Sequence, residues 1–309
     1  MSRLALNDLR PAPTQMQRMT RIGTLPLLLL LTGPLIAQRS AEEHLTAART
    51  AYAIDSLNIA LAHADSALKL DAQLDGGLKL RGDIKQRQRN FHGALLDYAK
   101  AEKLDPDNPR LYVSRSAVHI TQGNLKEAVR DCDRAIDLDP KDADAWYNRA
   151  CADYMGRNND GAMKSLERAM KVKADHAEAL FLRGVVRGEQ FKEEAGIADL
   201  EQAMRLNPSI PGGWMSLGVL QFENKQYDAA IATFTRVIES DDPEKRTAYF
   251  YRADCHYSKG DKNAACPDFR RCAEAGDKDA QFIIRNYCNT DAVTIPKKPR
   301  KQRKSVIEF

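Results

Sequence analysis

Six cysteines and six histidines are the residues of this 309-residue chain best suited to chemistry. The histidines, His44, His63, His92, His119, His176 and His256, are scattered, with no HExxH pair and no Cys-x-x-Cys partner. Those spacings are what bring metal ligands onto one face, so no metal site is expected and the histidines read as solvated or packed helix positions. The glycine-rich phosphate loops GxGxxG and GxxxxGK[ST] and the GxSxG nucleophile elbow are missing too. Neither a cofactor nor a catalytic residue is therefore expected. Acidic runs such as LDPDN and LDPKDAD lack the twelve-residue spacing of a calcium loop and read as turn and cap residues. The cysteines, Cys132, Cys151, Cys255, Cys266, Cys272 and Cys288, could pair wherever the surroundings oxidise them. Six allow fifteen complete pairings, so the choice depends on the elements that hold them.

Those elements repeat. Steps of 34 from Ala60 reach Ala94, Ala128, Ala162, Gly196 and Ala230, and a step of 35 reaches Ala265. Seven residues later the same ladder gives Ala67, Ala101, Ala135, Ala169, Ala203, Val237 and Cys272; twelve residues earlier it gives Ala48, Gly82, Ser116, Ala150, Gly184, Gly218 and Ala253. Small residues on facing turns let two helices approach closely, while bulkier columns fill the space above and below. One bulky column runs Leu78, Tyr112, Trp146, Leu180, Trp214 and Tyr249, with His44 first; another runs Tyr98, Cys132, Leu166, Leu200, Phe234 and Phe269. Pro106, Pro140 and Pro208 recur after the second helix of a unit, where the missing N–H stops a helix. Each unit reads as helix, turn, helix, stop.

The pattern of Trp146, Ala150, Ala162, Leu166 and Ala169 resembles the tetratricopeptide repeat (TPR), with Ala174 in place of the closing proline. The resemblance implies an all-α, right-handed superhelical solenoid of seven helix hairpins over residues 41–277, starting at 41, 75, 109, 143, 177, 211 and 246. The stretch 278–289 reads as a capping helix over the open apolar end. Repeat one is atypical, with Ala64 and Ala72 at the aromatic and proline positions, and SDDPEKRTAY inserts one residue before repeat seven.

Residues equidistant from a turn lie level on antiparallel helices. A turn near Gly276 and Asp277 sets Cys266 opposite Cys288, and a turn near Lys141 and Asp142 sets Cys132 opposite Cys151. Both are disulfide expectations; buried free thiols are the alternative, since cysteine also packs as a small hydrophobe. Exported bacterial TPR proteins resemble this chain at its end, where Ala265 and Cys266 open the last hairpin and Tyr287 and Cys288 close it.

The family likeness also places a concave groove on the first helices. There repeats two and three offer Lys79, Asp83, Gln86, Arg110 and Val113, whereas later repeats offer Tyr147, Tyr154, Phe181, Val185, Met215, Val219, Phe222, Phe250 and Tyr257. The apolar set is expected to bind a protein or peptide partner. The carboxylate clamp of chaperone-binding TPR proteins is rejected residue by residue: Lys79 fits, but Asp83 and Ser114 replace its asparagines, and Asp144 and Asn148 stand at its cationic positions.

The formal charge of +4 sits at the ends: residues 1–37 carry +3 and 290–309 carry +4, leaving the body near −3. A nucleic-acid binder carries a basic stripe on its folded surface, so no nucleic acid is expected. Residues 1–37 read as a signal peptide, with Met19 as the alternative start, Arg21 as its basic flank and an apolar run from Leu25 to Ile36. An uncleaved anchor is the rival reading, but Ile22 to Ala37 holds Pro26, Gly33 and Pro34 and is shorter than the roughly 20 apolar residues of a membrane span. The tail 290–309 reads as a disordered, basic segment able to touch an anionic surface. These features point to an exported, periplasmic or extracellular, non-catalytic scaffold. The alternatives are an accessory subunit of an envelope enzyme or assembly complex, and a self-assembling structural protein.

Overall fold

The computed structural model describes residues 40–295. They belong to the second of two compact units, Arg39–Phe309; the proposed signal segment and the tail beyond Ile295 lie outside the described residues. Fifteen α-helices and no strand are found among the described residues. They pair as hairpins: α1 (Ala41–Ala53) with α2 (Leu57–Leu70), α3 (Gly77–Arg87) with α4 (Phe91–Leu104), α5 (Pro109–Thr121) with α6 (Leu125–Leu138), and α7 (Ala143–Met155) with α8 (Asn159–Val172). Then α9 (Ala177–Glu189) pairs with α10 (Glu193–Leu206), α11 (Gly213–Glu223) with α12 (Tyr227–Glu239), and α13 (Lys245–Ser258) with α14 (Lys262–Glu274). A short α15 (Lys278–Ile283) runs into a π-helical turn, Ile284–Cys288.

Local chemistry sets the ends of these helices. Ser40 and Glu43 form a reciprocal capping box on α1, and Asn90, Asn108, Asp142, Asn158, Asp261 and Asp277 each accept a backbone N–H at the start of a later helix. The first helix of every hairpin stops in a left-handed residue at one repeating position: Asp55, Arg89, Gly123, Arg157, Phe191, Lys225 and Gly260. A left-handed residue after a helix lets the next N–H groups reach back to its last carbonyls. A bulky side chain is strained there, and Phe191 is nonetheless 85% exposed.

Within each hairpin the small column faces the second bulky column, sixteen positions on, and the sizes complement one another. Gly82 and Gly218 lie under the rings of Tyr98 and Phe234, and a Cβ at either would fall 2.5 or 2.6 Å from a ring carbon. Gly184 and Gly196 meet backbone to backbone, where a Cβ on Gly184 would lie 2.9 Å from the Gly196 carbonyl oxygen. Ser116 and Ala150, by contrast, face the smaller Cys132 and Leu166, all four wholly buried. Hairpin joints use a different device. Tyr112, Trp146 and Trp214 donate hydrogen bonds of 2.8, 3.0 and 3.1 Å to the carbonyls of Pro106, Pro140 and Pro208. The proline ends one helix, and its carbonyl, left without a helical donor, is taken up by the aromatic that opens the next.

A charged ladder crosses the same hairpins beside the small residues. Arg81, Arg115, Arg183 and Arg252 grip Asp97, Asp131, Asp199 and Asp268 through paired N–H donors at 2.6 to 2.9 Å. Lys85 and Arg187 add second cations to Asp97 and Asp199 at 2.7 Å. Burial alone would raise the Asp97 carboxyl, but hydrogen bonds from Arg81 and Lys85 outweigh it and hold it below its ordinary range. In repeat four Ser165 takes the acid's place, and Arg149 turns to Asp133 and Asp153. Repeat six is neutral throughout: Leu217 replaces the arginine, and Thr233 donates to Gln221 at 2.7 Å.

Two stability tests follow from these contacts. Gly218→Ala is expected to cost about 1–3 kcal/mol in urea unfolding by forcing the Phe234 ring aside, and Gly218→Ala with Phe234→Leu to regain most of it. Asp199→Ala, which leaves Arg183 and Arg187 unpaired, is expected to cost about 3–5 kcal/mol, whereas the neutral set of repeat six (Arg183→Leu, Arg187→Gln, Asp199→Thr) stays within about 1 kcal/mol of the parent.

Candidate functional site: the inner helix face

Successive first helices (α1, α3, α5, α7, α9, α11, α13) touch one another along the array, while the second helices meet no comparable neighbours of their own kind. Closer spacing on one side makes that side concave, so the first helices line the inner face.

Of the nine apolar residues expected on this face, six are buried: Tyr154, Phe181, Val185, Met215, Val219 and Phe250 are 1 to 8% exposed. The family resemblance set all nine on the first helices as an open apolar groove, but neighbouring helices cover most of them. Phe181 and Val185 belong to a cluster reaching from Ile120 to Leu220, and Met215 and Val219 to one shared with Phe234 and Tyr251. Tyr154 also donates to Glu189 in the next repeat at 2.7 Å. Tyr147, Phe222 and Tyr257 are half-buried. The Phe222 ring leans on Tyr227 and Tyr251, with centroids 6.0 and 5.7 Å away.

A polar row that the sequence reading did not assemble runs beside Tyr147. Arg110 at the start of α5 meets Asp142 and Asp144 at the start of α7 at 2.8 and 2.9 Å. Asp144 lies 3.4 Å from Nε2 of His176, whose Nδ1 is 3.2 Å from Glu178, and Glu178 accepts from Asn207 at 3.1 Å. The His176 imidazole and the Arg110 guanidinium hold the Asp144 carboxyl well below the usual carboxylate range. His176 is buried, caps α9 and packs its ring 5.1 Å from Tyr147. The outer members stay accessible, with side chains of Arg110, Asp144 and Glu178 that are 56, 49 and 45% exposed. Their spacing of 34 residues was the available signal.

Three residues at positions of the rejected clamp, Lys79, Asp83 and Asn148, are engaged in the fold itself. Asp83 pairs with Lys79 at 2.7 Å and accepts the Tyr98 hydroxyl, and Asn148 donates across the joint to the Val113 carbonyl and Ser116 hydroxyl, each at 3.0 Å. Among the described residues, no three His, Cys, Asp or Glu side chains converge as a metal site.

Of the two expected disulfides one forms. Cys266 and Cys288 are bonded, with Cα atoms 5.6 Å apart. Closing a loop of about this length stabilises by roughly 3 kcal/mol. The expected Cys132 to Cys151 pair is corrected: both are buried free thiols. Equal distance from a turn fixes height along two helices but not the direction in which each side chain points. Cys132 packs inside its own hairpin within hydrogen-bonding reach of the Ser116 hydroxyl, and Cys151 turns to Tyr147. Burial pushes the Cys132 thiol up to about 12 and the Cys151 thiol higher still, so neither is a nucleophile near neutral pH.

The last bonded cysteine leads into a strap across the inner end of repeat seven. Lys262 donates to the carbonyls of Thr290 and Ala292 at 2.6 and 3.0 Å while lying 4.6 Å over the Tyr287 ring. The backbone N–H of Ile295 donates to the Tyr257 hydroxyl at 3.1 Å, and the Ile295 side chain, 5% exposed, packs into the cluster of Phe250, Phe269 and Tyr287.

The tetratricopeptide-repeat family model matches residues 79–143, 194–242 and 226–280. A tetratricopeptide repeat protein from Parabacteroides merdae is similar over 82% of this chain and 98% of its own, at 17% identity and a TM-score of 0.54. Pseudomonas aeruginosa pilF is similar over 71% of this chain and 94% of its own, at 17% identity and a TM-score of 0.57. A chain of the APC/C hetero-tetramer Cut9-Hcn1 is similar over 79% of this chain and 48% of its own, at 15% identity and a TM-score of 0.53. At such identities the likeness is one of fold. No curated protein matches the sequence.

Thiol titration of the unfolded, unreduced protein is expected to count four thiols, rising to six after reduction. A count of two would restore the Cys132 to Cys151 bond, and six would remove both.

Proposed function

We propose, from the premise that this chain is a tetratricopeptide-repeat protein, that it is a non-catalytic scaffold holding a protein partner on the inner face of repeats three to five. One observation carries the reading. The half-exposed row Arg110, Asp144 and Glu178 flanks the half-buried Tyr147 ring, so a polar rim stands beside an aromatic centre. Interfaces combine these two parts, the ring for desolvated contact and the rim for register. The carboxylates of Asp144 and Glu178 favour a partner segment with a cationic side chain near the ring. Phe181, buried beneath, stiffens the floor.

Export is part of the same proposal. No helix among the described residues is long and apolar enough to cross a membrane, and the Cys266 to Cys288 bond suits an oxidising compartment.

Affinity capture from the native envelope tests the surface. Tyr147→Ala with Glu178→Ala is expected to weaken partner binding by about 2 kcal/mol, roughly 30-fold, while Leu96→Ala on a second helix leaves recovery unchanged. Equal recovery by all three proteins would remove the inner face from consideration.

A further inference from the structure

At repeat seven the inner face is closed by the chain's own strap, and the way it is closed describes a binding pocket. The floor is Phe250, 1% exposed and packed edge-on against Phe269 at 5.4 Å. The walls are Tyr257 and Tyr287, edge to face at 5.3 Å. The Ile295 side chain is buried in the same apolar cluster, and its backbone N–H donates to the Tyr257 hydroxyl. The pocket thus reads two features of its occupant, an aliphatic side chain and the main-chain donor of the same residue. We propose that it is a peptide subsite of the inner face, and that residues 289–295 are a resident occupant that exchanges for a partner segment carrying an exposed Ile, Leu or Val. This rests on the reading of the inner face as a partner-binding surface.

The two ends of the strap are held unequally. Its start is covalent, because Cys288 is bonded to Cys266. Among the described residues, its later part is held by the buried Ile295, whose N–H reaches the Tyr257 hydroxyl, and by the two carbonyls on Lys262, with Val293 between them 85% exposed. Fixing seven backbone residues opposes that short set of contacts, which makes an opening of 289–295 inexpensive while the disulfide keeps the strap beside the pocket at high effective concentration. A competing segment therefore needs more than one subsite to displace it. The rim at Tyr147 lies on the same inner face, so a partner that engages both has the advantage over the strap.

The test uses the full mature chain and a fluorescein-labelled peptide of sequence VTIPKK, which keeps the isoleucine but lacks the Thr290 and Ala292 carbonyls that Lys262 holds in the strap, read by fluorescence anisotropy. Wild type is expected to bind it weakly. Ile295→Asp, which unplugs the pocket, and Lys262→Met, which releases the two carbonyls, are each expected to tighten binding at least tenfold. Val293→Asp in the exposed middle of the strap should match wild type, and a peptide with Asp in place of Ile should bind none of the proteins. Adding Tyr257→Ala to Lys262→Met should abolish the gain. Unchanged affinity in Lys262→Met, or a gain that survives Tyr257→Ala, overturns the proposal; if Ile295→Asp fails to fold, Lys262→Met decides alone. Partner capture that still depends on Tyr147 while the peptide result is negative rejects this pocket only. Tightened peptide binding with capture indifferent to Tyr147 rejects the rim only.

Discussion

The distance between the two helices of a hairpin is the constraint on which the rest of the structure depends. It is set where a residue with little or no side chain lies under a bulky one, as Gly82 does under Tyr98 and Gly218 under Phe234. At that spacing the neighbouring columns are sealed from water, and whatever stands beside the small residue must also find its partner inside the hairpin. This is why arginine and aspartate can occupy the flanking positions. Asp97, Asp131, Asp199 and Asp268 are 1 to 5% exposed, yet each is met by a planar guanidinium from the facing helix. A buried carboxylate is tolerated when its lone pairs are all taken up.

The repeats solve this requirement in more than one way, and the solutions are coordinated. Where the acid is missing in repeat four, the second cation is also missing and Asp153 stands in its place for Arg149. In repeat six all three positions are neutral. The ladder is therefore a local matter of charge neutrality rather than an obligatory feature of the fold. Joints show a similar exchange. Between repeats four and five neither proline nor aromatic donor is present, since Ala174 and Leu180 stand there. That joint relies on the apolar cluster of Phe181, Leu182, Val185 and Val186, and on His176 as the cap of α9.

The small and bulky columns were legible in the sequence because packing at a fixed period demands fixed sizes, and they suffice to define an all-α repeat solenoid. The charged columns at the same period were equally visible as letters. Nothing in the letters alone separates them from solvated charges, because burial follows only from the partner sixteen residues away on the facing helix. The inner face came from the family resemblance alone, which names positions on the first helices but not which of them stay open. Whether Phe181 or Tyr147 stays open depends on how far the adjacent repeat overlaps it, which no single helix encodes. Cys266 and Cys288 could be paired by level because their hairpin turns tightly at Gly276 (φ +87°). Cys132 and Cys151 satisfied the same test and failed on direction. The strap had no sequence signal, since its hold comes from Lys262 and Tyr257, both distant in the chain.

The apolar interior is divided in a way that does not follow the repeats. One cluster runs from Leu45 through Ala145, the next from Ile120 through Leu220, a third joins Met215 to Cys255, a fourth joins Phe250 to Ile295, and a small fifth holds Ala94, Tyr98 and Val118. Each straddles joints, and consecutive clusters overlap along the chain. A gene cut at the start of a repeat therefore slices through a core instead of falling between two. The piece that can stand alone is a run of neighbouring repeats with its shared interior intact, and unfolding is organised by those shared interiors. The sequence repeats in units of 34 residues; melting and dissection would find larger ones, with boundaries inside the hairpins rather than at their ends.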